Sequence, residues 1–256
     1  MTATQLSAVI ITHNEADRIG DCLHSLAFCD EILVVDSGSD DGTQELCRAA
    51  GARVVEQTWL GYGRQKRFAV AQAVHDWVLC IDADERITPA LADSIVSRLQ
   101  QPDCKAYEMP RCNRFMGRWL RHGEGYPDLS LRLFDRRHAN WSEDAVHERV
   151  VCEKEVGRLE GDLLHESQES LSRYLEKQNH YTSLQAKTIA DRGGAAPYAK
   201  VVLSPLVRFI KFYLLRLGFL DGVPGLVHIA IGCMNTMMKY AKAVELMARC
   251  GVARER

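Results

Sequence analysis

Val78-Leu79-Cys80-Ile81-Asp82-Ala83-Asp84-Glu85 decides how this chain is read. Four apolar residues in a row fit a short strand buried on both faces. Two carboxylates, one residue apart, then stand where such a strand ends. In open α/β sheets the carboxyl ends of the strands are where ligands bind. Hard oxygen donors there suit Mg²⁺ or Mn²⁺, which can share its coordination with a diphosphate. The competing reading is a solvated turn whose aspartate caps the helix that begins after Pro89.

Working outward, the same pattern recurs. Leu6 to Thr12 is a β-branched apolar run followed by His13-Asn14-Glu15. Glu31 to Val35 is a second strand ending at Asp36, with Ser37-Gly38-Ser39-Asp40-Asp41-Gly42 as a turn cluster. Helical spacing marks Glu15–Leu26, Thr43–Ala50, Arg64–Val74 and the stretch from Pro89 to Leu99. Arg53-Val54-Val55 is a further short strand. Alternation of strand and helix predicts a doubly wound, largely parallel sheet. Its polar strand tips would share one crevice. Asp36 is a candidate to accept hydrogen bonds from a nucleoside, whereas Asp40 and Asp41 fit helix capping. No G-x-G-x-x-G follows the first strand, which excludes a Rossmann dinucleotide site.

Beyond residue 100, Ala106–Pro110 and Leu129–Phe134 read as strands separated by a segment rich in Arg, Gly and aromatics. Leu171–Asp191 reads as one long helix, closed by Gly193-Gly194. The expected organisation is a domain over 1–192, with a donor half (1–101) and an acceptor half (102–192), and a helical appendage over 193–256. In that appendage Pro205 to Leu220 is apolar but carries Arg208, Lys211 and Arg216. This is too short and too charged for a membrane span, which needs about 20 mainly apolar residues. It suits a helix lying at an anionic membrane surface, with Val223–Met238 as its pair. The alternative is a helical hairpin packed on its own domain or on a second subunit.

The bulk properties exclude several classes. With 46% hydrophobic and 26% charged residues the chain is an ordinary globular protein rather than a disordered one. A net charge of −2 gives no global field for nucleic acid. Nine cysteines contain no C-x-x-C pair, which argues against zinc; their odd number and the lack of a basic, apolar leader point to the cytoplasm.

Taken together, Ala8-Val9-Ile10-Ile11-Thr12-His13-Asn14-Glu15, Val34-Val35-Asp36-Ser37-Gly38-Ser39 and Ile81-Asp82-Ala83-Asp84 resemble the three ordered motifs of family 2 glycosyltransferases. Gly61-Tyr62-Gly63-Arg64-Gln65-Lys66, Arg132-Leu133-Phe134, Val146-His147-Glu148 and Leu164-His165-Glu166-Ser167 are similar to a bacterial subgroup within it. That subgroup adds β-glucose to the inner-core heptose of lipopolysaccharide. Arg67 departs from the subgroup, where an Asn is expected.

The resemblance implies a GT-A fold: a nucleotide-binding, mixed, mostly parallel sheet flanked by helices. It implies a nucleotide-diphosphate sugar donor, UDP-glucose in this subgroup, a divalent cation (Mg²⁺ or Mn²⁺), and inversion at the anomeric carbon. Carried over residue by residue, Thr12, Asn14, Glu15 and Asp36 line the nucleoside pocket. Arg64, Gln65 and Lys66 approach the nucleotide, Asp82 and Asp84 hold ribose and metal, and His165 reaches the metal or diphosphate. For His165 the residues alone favour simple packing at an apolar edge. Inversion needs a carboxylate base. Glu148 is the first candidate and Asp144 the second, and Glu148 could instead pair with Arg149 or Arg132. The implied acceptor is a lipid-linked saccharide, which would place the protein peripherally on the cytoplasmic face of the inner membrane. The alternatives are a transferase acting on a polyprenyl-linked acceptor and a nucleotide-sugar binding protein without turnover.

Overall fold

The computed structural model describes residues 4–142, 148–167, 170–193 and 197–254. Packing divides the chain into two units, Met1–Cys112 with Asp128–Glu166, and Asn113–Pro127 with Ser167–Arg256. The boundary expected at residue 192 therefore falls inside the second unit, which also takes in the long helix and the Arg-rich segment.

The first unit opens as the sequence predicts: β1 (Leu6–Thr12), α1 (Ala16–Ser25), β2 (Glu31–Asp36), α2 (Thr43–Ala49), β3 (Arg53–Glu56), α3 (Tyr62–Gln72) and β4 (Trp77–Asp82). These strands lie parallel in the order β3-β2-β1-β4. Alternate residues of β1 face opposite layers. Leu6, Ala8 and Ile10 pack with Ile19, Cys22 and Leu23 of α1, while Val9 packs with Ala69 and Val70 of α3. Both faces of β1 and β4 are buried, which is why these strands read as mainly apolar runs. Each fully buried Leu or Ile contributes roughly 1.5–3 kcal/mol.

The rest of the sheet is more mixed than strand-helix alternation suggests. β5 (Glu85–Ile87), α4 (Pro89–Gln100), β6 (Ala106–Phe115), β7 (Arg118–Trp119), β8 (Asp128–Asp135), β9 (Ala139–Trp141), β10 (Val150–Cys152), β11 (Val156–Arg158) and β12 (Leu163–His165) follow in the chain. β8 joins β4 antiparallel, and the sheet continues β8-β6-β12-β5. β9 and β10 form a separate antiparallel pair. The helix after Asp84 is capped by Thr88, whose side chain accepts from Leu91 N, and Pro89 sits in its first turn. Neither aspartate of the Asp-Ala-Asp turn is needed as its cap.

The second unit is helical. α5 (Leu171–Asp191) starts at Ser170, which accepts from Arg173 N. α6 (Tyr198–Phe209) runs into a π-helical turn (Ile210–Leu215) and then a 3-10 turn (Gly218–Asp221) before α7 (Gly222–Arg254). The helix predicted to start at Pro205 begins seven residues earlier, with Pro205 inside it. Asn235 donates to Gln178 (2.8 Å), and Lys242 donates to the Asn179 side chain (2.7 Å), tying α7 to α5. The end of β6 and β7 form a hairpin that belongs to this unit; Phe115 meets the rings of Tyr174 and His228.

Candidate active site

Strand register sets the site. Thr12 lies opposite Asp36, and Ile11 opposite Asp82, so the three polar tips stand side by side at one edge of the sheet. The loops that leave them are laced together. Asn14 N donates to Ser39 Oγ and Asn14 Oδ1 accepts from Asp40 N. Glu15 N donates to Thr43 Oγ1, and Asp41 accepts from Ala16 N and Thr43 N, serving the starts of both α1 and α2. Asn14 itself takes a left-handed conformation (φ 55°), which Asn tolerates better than most residues.

Asp36 is held at the tip of β2 by its own neighbours. It is fully buried. Its two oxygens accept from Thr12 Oγ1, Gly38 N, Ser39 N, Ser39 Oγ and Gln44 Nε2. Burial pushes its carboxyl up, but the hydrogen bonds from Ser39, Thr12 and Gln44 outweigh it and hold it below the usual carboxylate range. Its carboxylate thereby shapes the tip of β2, and Thr12 belongs to the same network. Asp36→Ala strands buried donors, and we expect a loss of about 3 kcal/mol in urea unfolding at neutral pH. Because the folded carboxyl is depressed, its contribution is present above the usual aspartate value of about 3.9. The gap to wild type should close only as pH falls through the folded value. A gap that closes already near pH 6 would contradict this.

Gln65 is buried: its amide donates to Ser37 Oγ (3.0 Å) and its carbonyl accepts from Leu60 N. Arg64 is exposed on α3. Arg67 is also exposed and reaches the carbonyl of Trp141 at 3.4 Å.

The two acids of the turn have separate environments. Asp82 is clamped between cations, Lys66 Nζ at 2.9 Å and Arg132 NH2 at 2.8 Å. Burial pushes its carboxyl up; Arg132 and Lys66 outweigh this and hold it far below the usual range. Lys66 lies over the ring of Trp141 (4.5 Å to its centroid), a cation–π contact that fixes its stem. Arg132 bridges Asp82 to Glu85 (2.8 Å), and Glu85 turns back to accept from Asp82 N. Glu85 is fully buried and Arg132 nearly so. Burial works against the guanidinium charge, but Glu85 and Asp82 outweigh it and raise its pKa. This Lys66–Asp82–Arg132–Glu85 chain locks the turn.

Asp84 points elsewhere. Its Oδ2 lies 3.3 Å from His165 Nε2, and β12 puts His165 there by pairing antiparallel with β5, His165 opposite Glu85. Arg18 approaches Asp84 at 3.9 Å and forms an ion pair with Glu15. Burial raises the pKa of Glu15, partly offset by Arg18 and reinforced by Asp84. The oxygen-and-imidazole pair Asp84/His165 fits a divalent cation. Among the described residues no three metal-binding side chains converge. Among the described residues the pair is a partial ligand set, which would leave positions for phosphate oxygens and water.

Glu148 approaches the same cluster, its Oε1 3.8 Å from Lys66 Nζ. Among the described residues Glu148 pairs with that cation and not with Arg149 or Arg132. Asp144, the second candidate base, lies outside the described residues. The residues that sequence reasoning undervalued are Glu85 and Trp141. Glu85 was visible as the third acid in Asp82-Ala83-Asp84-Glu85. Trp141 carries no local signal, because its partners Lys66 and Cys80 are remote in sequence.

Comparison with known proteins shows the family to which the chain belongs. The pattern of the family described as "Glycosyl transferase family 2" matches residues 7–153, more than half of the chain. The chain belongs to that family and is a glycosyltransferase of the GT-A fold class. An uncharacterised glycosyltransferase of Rickettsia typhi is 31% identical, over 94% of this chain and 87% of its own length. The lipopolysaccharide core biosynthesis glycosyltransferase LpsC of Rhizobium meliloti is also 31% identical, over 93% and 91%. A solved structure, glucosyl-3-phosphoglycerate synthase from Mycobacterium tuberculosis with Mn²⁺ and UDP, aligns over 42% of this chain and 44% of its own, with 27% identity and a TM-score of 0.38. That likeness is too partial to carry its ligands over.

Proposed function

We propose that the enzyme is an inverting hexosyltransferase that moves glucose from UDP-glucose to a lipopolysaccharide-core or related glycolipid acceptor. The observation that carries the donor side is the pairing of Asp84 with His165 at the tips of β4 and β12, beside a locked Asp82. Asp84 and His165 would hold Mg²⁺ or Mn²⁺ with the donor diphosphate. When bound, the cation neutralises charge that builds on the leaving diphosphate. Asp82, fixed by Lys66 and Arg132, is placed for the ribose. Lys66 adds positive charge at the same edge.

On the acceptor side Glu148 is the base. Its carboxylate takes the proton of the acceptor hydroxyl as that oxygen bonds to the anomeric carbon. The bond from that carbon to the diphosphate oxygen breaks, and its electron pair leaves with the diphosphate. Attack opposite the leaving group inverts the centre. The likeness to LpsC over nearly the whole of both chains supports an acceptor from the lipopolysaccharide core. A lipid-linked acceptor would bring the enzyme to the cytoplasmic face of the inner membrane as a peripheral protein.

The test is a donor panel titrated calorimetrically with Mn²⁺, followed by transfer to a heptose-containing core acceptor with the product anomer read by NMR. UDP-glucose should bind best, and an α-linked donor should give a β-linked product. Retention of configuration, or a clear preference for another nucleotide sugar, would overturn the reading.

A further inference from the structure

The outward face of α6 is apolar where a solvent-facing helix is ordinarily polar. Val202, Leu203, Leu206, Val207 and Ile210 recur at helical spacing, and all are exposed. Leu214 and Leu215 extend the face through the π-helical turn, and Leu215 is 75% exposed. Leu217, Phe219, Leu220 and Val223 continue it around the bend into α7. Helices 198–215 and 218–249 meet there at 73°, and no single described helix is long and apolar enough to cross a membrane. A run of exposed apolar residues this long marks an interaction surface.

Charge shows what it meets. From Gly193 to Val244 the chain carries six basic residues and one acid, Asp221, in a protein of net charge −2. Asp221 is buried and held by the His122 ring and the backbone N–H groups of Arg121 and His122. It offers no exposed negative charge. Lys211 and Arg216 are exposed at the bend. The β6–β7 hairpin adds exposed Arg118 and Arg121 beside an open groove that includes Trp119. Arg118 donates to the Leu220 carbonyl (2.9 Å), and Gly123 N donates to the Arg216 carbonyl, so hairpin and bend form one tip. Arg208 is not part of this surface. It turns inward to Glu124 and Thr236, contrary to the expectation from sequence.

We infer that this tip docks on an anionic lipid bilayer. The apolar face sits at the headgroup–acyl boundary, and Lys211, Arg216 and Arg118 face the lipid phosphates, with Trp119 at the interface. A second copy of the chain is disfavoured as occupant, because face-to-face packing of two tips brings Lys211, Arg216 and Arg118 of each copy together. The inference deepens the lipid-linked acceptor proposed above.

The test is co-sedimentation of the full-length protein with phosphatidylglycerol/phosphatidylcholine vesicles and with phosphatidylcholine alone. Wild type should favour the anionic vesicles and be partly released by salt. Lys211→Gln with Arg216→Gln should lower partitioning about 30-fold at low salt, from about 1 kcal/mol per basic residue. Leu206→Glu with Leu215→Glu, both at exposed positions, should abolish binding to either vesicle. Undiminished binding by the Glu variant would overturn the inference, as would equal binding of wild type to neutral and anionic vesicles. So would a wild-type dimer in analytical ultracentrifugation that the Glu variant dissociates, which would assign the face to a second copy. UDP-glucose hydrolysis with Mn²⁺, read on the same samples, should be equal in all variants. Loss of hydrolysis with vesicle binding intact would count against the transfer reading and leave the docking surface standing.

Discussion

Glu148→Gln is expected to lower turnover by about 10²–10⁴-fold, the usual contribution of one positioned general base. The substitution keeps size and hydrogen-bonding capacity but removes the atom that can take the acceptor proton. Donor affinity should stay nearly unchanged, because Asp84, His165 and the Lys66–Asp82–Arg132 clamp are untouched. The loose contact with Lys66 (3.8 Å) contributes little to that clamp beside the 2.9 Å bond from Lys66 to Asp82. Steady-state kinetics at saturating donor, with UDP-glucose binding measured in parallel, check both halves. Normal turnover in the variant would move the base to Asp144.

The second large effect lies under the site. Arg132→Met removes the cation shared by Asp82 and Glu85, both at 2.8 Å. Breaking a buried pair from one side typically costs about 3–5 kcal/mol, since the remaining charge stays uncompensated. Arg111 lies 3.6 Å from Glu85 and Asp82 N still donates to it, so the lower end of that range is expected. Adding Glu85→Gln should restore part of the loss, because the charge left behind is then gone. Urea unfolding of the two single variants and the double variant measures this directly. A change under 0.5 kcal/mol for Arg132→Met, or no coupling between the substitutions, would show that the chain of charges does not hold the turn.

The parallel half of the sheet was legible because its strands are largely buried on both faces. Leu6–Thr12, Glu31–Asp36 and Trp77–Asp82 are predominantly apolar runs ending in polar tips, and parallel register turns such tips into one edge. The other side of the sheet was not, because β5, β11 and β12 are three residues each, too short for any period to show. Position in sequence also hid which side chains meet. His165 meets Asp84 across 81 residues, and only the resemblance to the family suggested it. Arg208 looked like a lipid-facing cation until Glu124, 84 residues away, proved to be its partner. At Asp36 the missing information was local: the glycine-serine turn after it folds its own donors back onto the carboxylate.

The most direct measurement is a calorimetric titration of UDP-glucose into wild type and Asp84→Ala, each with Mn²⁺ and with chelator. Asp84 is partly exposed and caps no helix, so its removal should leave the unfolding midpoint unchanged. Wild type should bind the donor with Mn²⁺ and lose most of that binding in chelator, while Asp84→Ala should bind equally weakly in both. Donor binding by Asp84→Ala that still rises with Mn²⁺, or wild-type binding indifferent to chelator, would contradict a donor site built on the Asp84–His165 pair.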